Sequence, residues 1–434
     1  MYRNYYDLVG VGFGPAGIAL ETAIRDSEES SGEEVYKRVF LEKNSDSAWM
    51  PEMLLPGTDI QHHFLRDFAT PRNPRSQYTF SNYLFEKERL FTFGLLGHPS
   101  RTEWSDYVQW VSMKIDNKAQ FNEEVKLVEP IVVENYVEGL KVHTINNLNN
   151  KKNIYHTKSL ILNSGRKPYI PSLFKNKQGD KVFHASKFKS SIQNISSDNN
   201  PTFTVIGSGQ NSVEIILYLA NKFPNSKINS VIRHTGFRLY ELGHFTNEVF
   251  FPDFTNYFYS LTQKDRDKLF EQIKHTNYSA VDDDVSESLY WKMYEDKIRG
   301  EEQIELHRCK EIIDLSGHKG NYLLNIKDIY NKEESYINTD YIILCTGFFE
   351  EEYPEILQPM KEHLNYNKDN SIQVSKDYKV NTKSNVRANI YLNGLTERTH
   401  GIGDAASFTM MATKAQRILD SIDKNNLIKE GDLF

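Results

Sequence analysis

Tyr6-Asp-Leu-Val-Gly-Val-Gly12-Phe-Gly14-Pro15-Ala-Gly17 is the stretch from which the fold is read. The apolar run over 5–11 reads as a buried parallel strand. It breaks into a Gly-x-Gly-x-x-Gly turn, and Ile18, Ala19 and Ile24 then carry helical spacing. Such a turn lets the backbone approach a pyrophosphate, which rests on the N-terminus of the following helix. One fingerprint is weak evidence. A second, Thr202-Phe-Thr-Val-Ile-Gly207-Ser-Gly209-Gln210-Asn211-Ser212, lies far downstream, again behind an apolar run and ahead of a helix over 211–222. Two cradles imply two dinucleotides. The common enzyme that holds two is a flavoprotein taking hydride from a nicotinamide.

Composition agrees with an enzyme. A chain of 434 residues can bury a large core in two or three domains. A net charge of −7 gives no global attraction to nucleic acid or to an anionic membrane. Cys309 and Cys345 make neither a metal spacing nor a disulfide framework, which fits a reducing cytoplasm. No metal-spaced His/Cys/Asp cluster stands out. No run approaches the roughly 18 apolar residues of a membrane span, and the first strand follows Met1 so closely that no leader is expected.

Val35–Leu41 reads as the second strand, after a polar loop over 27–34, and it ends in Glu42. An acid there can accept hydrogen bonds from ribose hydroxyls; a solvated Glu-Lys pair is the alternative. A helix is expected over 103–115. Strands are expected over 125–143 and 154–162, flanking a turn at 146–152. Residues 46–100 lack periodicity but are rich in aromatics and prolines, which argues for a functional irregular stretch rather than disorder. Gly165 and Lys167-Pro-Tyr-Ile-Pro171 form a crossover. A strand at 228–232 leads to Arg233, where positive charge suits a 2′-phosphate, so the second dinucleotide is expected to be NADPH; Arg238 is a weaker candidate. Residues 262–300 read as helical, with Tyr278, Tyr290 and Tyr294 as packing. A strand from Asp340 ends in Thr346-Gly347. A final strand at 390–394 precedes the Thr399–Asp404 run, and a helix over 405–423 follows it.

The expected architecture is α/β with two Rossmann-like domains and a small substrate region. The first part of the FAD domain spans 1–190. The NADPH domain spans 200–348, with a helical substrate insertion at about 240–300. Residues 349–434 return to the FAD domain, which is therefore discontinuous.

Three longer blocks go further: Trp49-Met-Pro-Glu-Met-Leu-Leu-Pro-Gly57, Ile60-Gln61-His62-His63-Phe-Leu-Arg66-Asp67 and Pro74-Arg-Ser-Gln-Tyr-Thr-Phe-Ser-Asn-Tyr-Leu84. With Pro99-Ser-Arg101-Thr-Glu103, Phe245-Thr-Asn247-Glu-Val-Phe250, Thr276-Asn277-Tyr278-Ser279 and Glu397-Arg-Thr-His-Gly401, the chain resembles the flavin-dependent N-hydroxylating monooxygenases. These are the L-ornithine and L-lysine hydroxylases of siderophore biosynthesis. The resemblance implies that NADPH reduces FAD, that the reduced flavin captures O2 as a C4a-hydroperoxide, and that a neutral primary amine attacks the distal oxygen. The flavin carries that chemistry, and the protein orients and shields it.

The resemblance also implies residue roles. Gln61 is placed near the isoalloxazine and Trp49 packs on the flavin side. Arg101 and Arg233 hold the NADPH 2′-phosphate. Asn247 binds the α-carboxylate and α-amino group, and Asn277 lies near the reacting amine, with helix capping as its alternative. Gly12, Gly14, Pro15, Gly17 and Glu42 serve the FAD. Gly207, Gly209, Gln210, Asn211 and Ser212 serve the NADPH, and Thr346, Gly347 and Asp404 close the cofactor site. Relatives are often homotetramers or homodimers. Three features depart from the family pattern. Arg66 replaces a lysine that ornithine-specific members direct to the substrate carboxylate. Either Ser407 substitutes for a family serine or Phe408 fills its space. His62 and His63 occupy positions often small or apolar, as core histidines or as neighbours of substrate or flavin.

Other readings make different demands. A diamine such as putrescine or cadaverine needs no carboxylate contact. A disulfide reductase needs a paired cysteine motif, which the chain lacks. A Baeyer–Villiger or sulfur-oxidising monooxygenase calls for FxGxxxHxxxW, and Val182-Phe-His-Ala-Ser-Lys-Phe supplies only the Phe and the His. A redox-sensing module would bind cofactors without turnover.

Overall fold

A computed structural model describes residues 5–431, apart from 242, 319, 405 and 406. The first strand, β1 (Tyr5–Val11), runs into the glycine turn and α1 (Pro15–Ser31), with Pro15 in the first helical turn, where its missing N–H costs nothing. The acidic stretch read as a loop stays helical to Ser31. Arg38, from β2 (Arg38–Leu41), pairs with Glu21 at 2.6 Å and with Glu28 at 2.6 Å and holds that last turn; Gly32, at φ 77°, ends it. Then come α2 (Arg101–Ile115), β3 (Glu123–Val133), β4 (Tyr136–Asn146) and β5 (Lys152–Leu162). The single strand expected over 125–143 is thus a hairpin. Glu134 and Asn135 both take positive φ, 48° and 70°, as a tight hairpin turn requires.

In the first sheet β2, β1 and β5 run parallel, while β3 and β4 extend it as an antiparallel meander on the N-terminal half of β5. The chain then leaves by the proline crossover. The strand β6 (Val182–His184) already pairs with the second sheet, so the change of sheet falls at the crossover and not at residue 190.

That second sheet is parallel throughout. It comprises β6, β7 (Phe203–Ile206), β8 (Ile228–Val231), β9 (Ile304–His307) and a later strand at Tyr341–Leu344, with α3 (Gln210–Lys222) after its own glycine turn. Between β8 and β9 lie α4 (Pro252–Ser260), α5 (Gln263–Ile273) and α6 (Asp283–Arg299). Tyr290 and Tyr294 of α6 are 73% and 52% exposed, so the packing role expected of the tyrosines holds only for Tyr278.

The chain closes on the first sheet. A strand at Asn389–Leu392 lies parallel to the C-terminal half of β5, and α7 (Met411–Gly431) packs beside α1; residues 405 and 406, where this helix was expected to begin, lie outside the described set. Ile18, Ile24, Trp104, Tyr107, Ile418 and Ile422, from α1, α2 and α7, pack with Leu8, Phe40 and Ile161 on one face of the first sheet. Val9, Leu160, Val142 and Met360 form the other. A sheet covered on both faces reads as continuous apolar runs, which is why β1 and β5 were legible.

Candidate functional site

The first cradle is built by close approach. A Cβ on Gly17 would strike the carbonyl of Gly12, and Gly12 sits at φ 95°. Asn163, at the end of β5, donates to Gly12 O at 3.2 Å, and Asn393 donates to both Asn163 Oδ1 and Ala16 O. A Cβ on Gly14 would meet nothing within 4 Å. The turn therefore leaves room where a pyrophosphate needs it, at the start of a helix of 17 residues. Glu42 is 7% exposed and accepts from Phe13 N at 2.8 Å and Asn44 N at 2.9 Å. It is not a solvated Glu-Lys pair: it ties β2 to the glycine turn, and a carboxylate with four lone-pair sites keeps capacity for ribose hydroxyls.

The second cradle repeats the plan. A Cβ on Gly207 would collide with the Cys345 carbonyl, and Gly209 precedes the first turn of α3. Ser212 Oγ donates back to Gly209 O at 2.6 Å, and Asn211 is partly exposed on that turn. Gly347, at φ 80°, accepts from His184 Nε2 at 3.0 Å, and Thr346 Oγ1 bonds Tyr169 O, so the Thr-Gly turn pins the crossover. Arg233 is exposed at the end of β8 and has no ion-pair partner among the described residues. Arg238 bonds His275 Nδ1 at 2.9 Å.

Arg101 corrects its expected role. It is 6% exposed and forks onto Glu214 of α3 at 2.6 and 2.8 Å, while its Nε donates to Asp59 O at 3.1 Å. Burial raises the Glu214 carboxyl, and Arg101 and Gln210 pull it back. A guanidinium so occupied is not presented to a phosphate; it clamps α2 to the second cradle. Asp404 is likewise committed. It is 2% exposed, lies 3.2 Å from Lys414 Nζ and accepts from Thr396 Oγ1 at 2.9 Å, fixing the approach to α7.

An aromatic cluster gathers around His62 against the first-sheet core. His62 lies 4.9 Å from Trp104 and 5.2 Å from Phe408, and Trp49 meets Phe408 edge-on at 5.8 Å. Phe408 is 4% exposed, so it fills the core, and Ser407 faces the polar side. Burial lowers the His62 imidazole to about 4, and its Nε2 is buried without a partner, a polar atom left for a bound group. His63 is exposed and stacks on Phe64 at 4.4 Å.

The polar side carries Arg66. Its Nη1 donates to Thr409 Oγ1 at 3.1 Å, and Thr409 Oγ1 accepts from Ser407 Oγ at 3.1 Å. Asp67 is turned away, accepting from Ala69 N, Thr70 N and Phe80 N. Tyr240 faces the guanidinium, and burial lowers its basicity. Asn247 Nδ2 donates to Glu241 O at 2.9 Å. Asn277 follows a short 3-10 turn and is partly buried. It does not cap α6, because Asp282 holds that position.

Several residues here escaped the sequence reading. Gln61 Nε2 donates to Asp282 Oδ1 at 3.1 Å. Arg166 is partly buried between Glu397 and Glu350, and Tyr278 bonds Glu397 beside Asn277. Burial lifts Glu350 to about 7 against the pull of Arg166. Glu214 was findable, one helical turn beyond Gln210; Arg166 and Glu350 carried no local signal.

Two glycine cradles, one on a mixed sheet and one on a parallel sheet, define a two-dinucleotide flavoprotein. The family model for L-lysine 6-monooxygenase/L-ornithine 5-monooxygenase matches residues 4–350. The L-ornithine N(5)-monooxygenase of Pseudomonas aeruginosa is 31% identical over 425 residues, covering 96% of this chain and 93% of that one. The solved L-lysine 6-monooxygenase from Pseudomonas syringae superposes with a TM-score of 0.88 at 36% identity, over 97% of this chain and 99% of that one. An ornithine N-hydroxylase from Kutzneria, solved with reduced FAD, NADP+ and L-ornithine, gives 0.91 at 25% identity, over 97% and 100%. The chain belongs to the L-lysine 6-monooxygenase/L-ornithine 5-monooxygenase family. It is an FAD-dependent, NADPH-using N-hydroxylating monooxygenase.

Proposed function

We propose that this enzyme hydroxylates the terminal primary amine of a small α-amino acid, L-ornithine first and L-lysine second. Arg66 carries the reading. It is a half-buried guanidinium with a hydroxyl partner and no carboxylate paired to it among the described residues. A desolvated cation without a counter-ion is costly, and an anionic substrate group supplies one. A diamine has no such group.

Bound FAD, with NADPH and O2, supplies the oxidising equivalent that reaches nitrogen. The chain supplies the rest. The Gly12–Gly17 turn and the Gly207–Ser212 turn receive the two pyrophosphates, and Arg233 holds the 2′-phosphate. Arg66 and Asn247 fix the substrate carboxylate and α-amino group, which orients the far amine toward Asn277. His62, Trp49, Trp104 and Phe408 exclude water. We assign the enzyme to the cytoplasm as a homo-oligomer, supported by two unpaired cysteines and by exposed Tyr290, Trp291 and Ile298 on α6. Light scattering tests the oligomer. A hydroxylamine assay across L-ornithine, L-lysine, putrescine and cadaverine tests the substrate: amino acids ahead of diamines support it, and the reverse order refutes it.

A further inference from the structure

Asp282 occupies the N-cap position of α6, with extended backbone at φ −64° and ψ 149°. Aspartate in that position ordinarily accepts from a backbone N–H in the first helical turn and so stabilises the helix start. Here the side chain makes no such bond. Its carboxylate instead accepts from Gln61 Nε2 at 3.1 Å, across 221 residues of sequence. The Asp282 backbone N–H donates to Gln210 Oε1 at 2.8 Å. Gln210 Nε2 donates to Glu214 at 3.0 Å, and Glu214 holds Arg101 in a fork. Gln210, Glu214 and Arg101 are all buried.

The chemistry of the partners fixes each amide. A carboxylate only accepts, so Gln61 must turn its NH2 to Asp282 and its carbonyl away. Gln210 is fixed at both ends, by an N–H donor and by a carboxylate. The chain of bonds therefore runs without ambiguity from Gln61 to the first turn of α3, where the second dinucleotide cradle begins.

We propose that Asp282 is a positioning residue that orients Gln61 and couples it to occupancy of the Gly207–Ser212 cradle. The helix cap is forgone so that the carboxylate can hold Gln61. By reciprocity, a nucleotide that orders Gln210 orders Gln61, and a disordered Gln61 weakens the nucleotide. This rests on the proposed function only for the fate of oxygen; the coupling itself is a binding property.

Three variants separate positioning from scaffolding. Asp282→Ser can cap α6 but is too short to reach Gln61. Asp282→Asn keeps an acceptor for Gln61. Asp282→Ala keeps neither. Calorimetry of NADP+ binding to the FAD-loaded enzyme, the melting temperature, and the share of oxidised NADPH that ends as hydrogen peroxide are read together. Asp282→Ser is expected to melt with the wild type yet bind NADP+ at least about fivefold more weakly, the lower edge of ordinary site-to-site coupling, and to release more peroxide. Asp282→Asn is expected to recover most of both. Wild-type NADP+ affinity in Asp282→Ser would overturn the proposal, as would a loss of affinity that only tracks melting across the three. A wild type that makes no hydroxylated amine would sink the functional reading alone, since calorimetry would still report the coupling.

Discussion

Arg66 donates to Thr409 at 3.1 Å, and that hydroxyl is its hydrogen-bond partner among the described side chains. A charge-assisted contact to a substrate carboxylate contributes about 1.5–3 kcal/mol. Arg66→Ala should therefore lower kcat/KM for the amino acid by roughly tenfold to more than a hundredfold. Turnover of the matched diamine should fall far less. Equal losses would show that Arg66 does not read the carboxylate.

The room beside Gly14 makes a clean test of the first cradle. Gly14 has φ −80° and ψ −167°, which valine adopts freely, and no protein atom lies where its Cβ would go. Gly14→Val should fold with native secondary structure and lose bound flavin. A yellow, fully loaded variant would move the FAD elsewhere.

Arg233 and Arg101 should part company. Losing one charge-assisted phosphate contact costs about 1.5–3 kcal/mol, so Arg233→Ala should raise the NADPH KM at least about tenfold and leave that for NADH alone. Arg101→Ala should instead strand Glu214 in the interior, a loss of about 3–5 kcal/mol in stability. Its ratio of NADPH to NADH efficiency should stay put. A collapse of that ratio in Arg101→Ala would restore the phosphate role.

Acid should destabilise the fold through His400. Its ring lies 4.2 Å from Tyr378 and 4.9 Å from Tyr259, and burial lowers it from 6.5 to about 4. Above 6.5 the ring is neutral whether folded or unfolded and contributes nothing to the pH dependence. Between 6.5 and 4 the unfolded chain takes the proton first, so stability falls as pH falls, by up to about 1.4 kcal/mol per pH unit. Glu350, raised to about 7, works in the opposite sense between 4.5 and 7, so the wild-type slope is a sum. His400→Gln should have a melting temperature that drops less steeply from pH 6.5 to 5 than the wild type's. Parallel curves would place the proton elsewhere.

Both dinucleotide sheets were legible because they are buried on two faces. Continuous apolar runs such as Tyr5–Val11 and glycine turns such as Gly12–Gly17 are local signals. The β3–β4 hairpin is not legible in the same way, because apolar residues continue on both sides of Glu134-Asn135 and that two-residue turn carries neither glycine nor proline. The site was less legible for a different reason. Arg101 and Glu214 are 113 positions apart, and Gln61 and Asp282 are 221 apart. A charge in a sequence does not announce its counter-charge. Arg101 looked free and is clamped; Arg233 looked free and is exposed, with no ion pair among the described residues. Asp404 and Glu42 looked like cofactor ligands. The first is spent on Lys414 and Thr396, and the second holds Phe13 and Asn44 as well.

Transfer of oxygen to the far amine of an amino acid is tested most directly by its product. The measurement is product formation by the FAD-loaded enzyme with NADPH, O2 and each of L-ornithine, L-lysine, putrescine and cadaverine, with NADPH consumption and hydroxylated amine quantified in the same tubes. The rate should rise toward alkaline pH, because only a neutral amine is nucleophilic and its reference pKa is about 10.4. Hydroxylated L-ornithine or L-lysine is expected in near-equal amount to the NADPH oxidised, with the diamines behind. NADPH oxidation that yields only peroxide with every amine, or a diamine ahead of both amino acids, would contradict it.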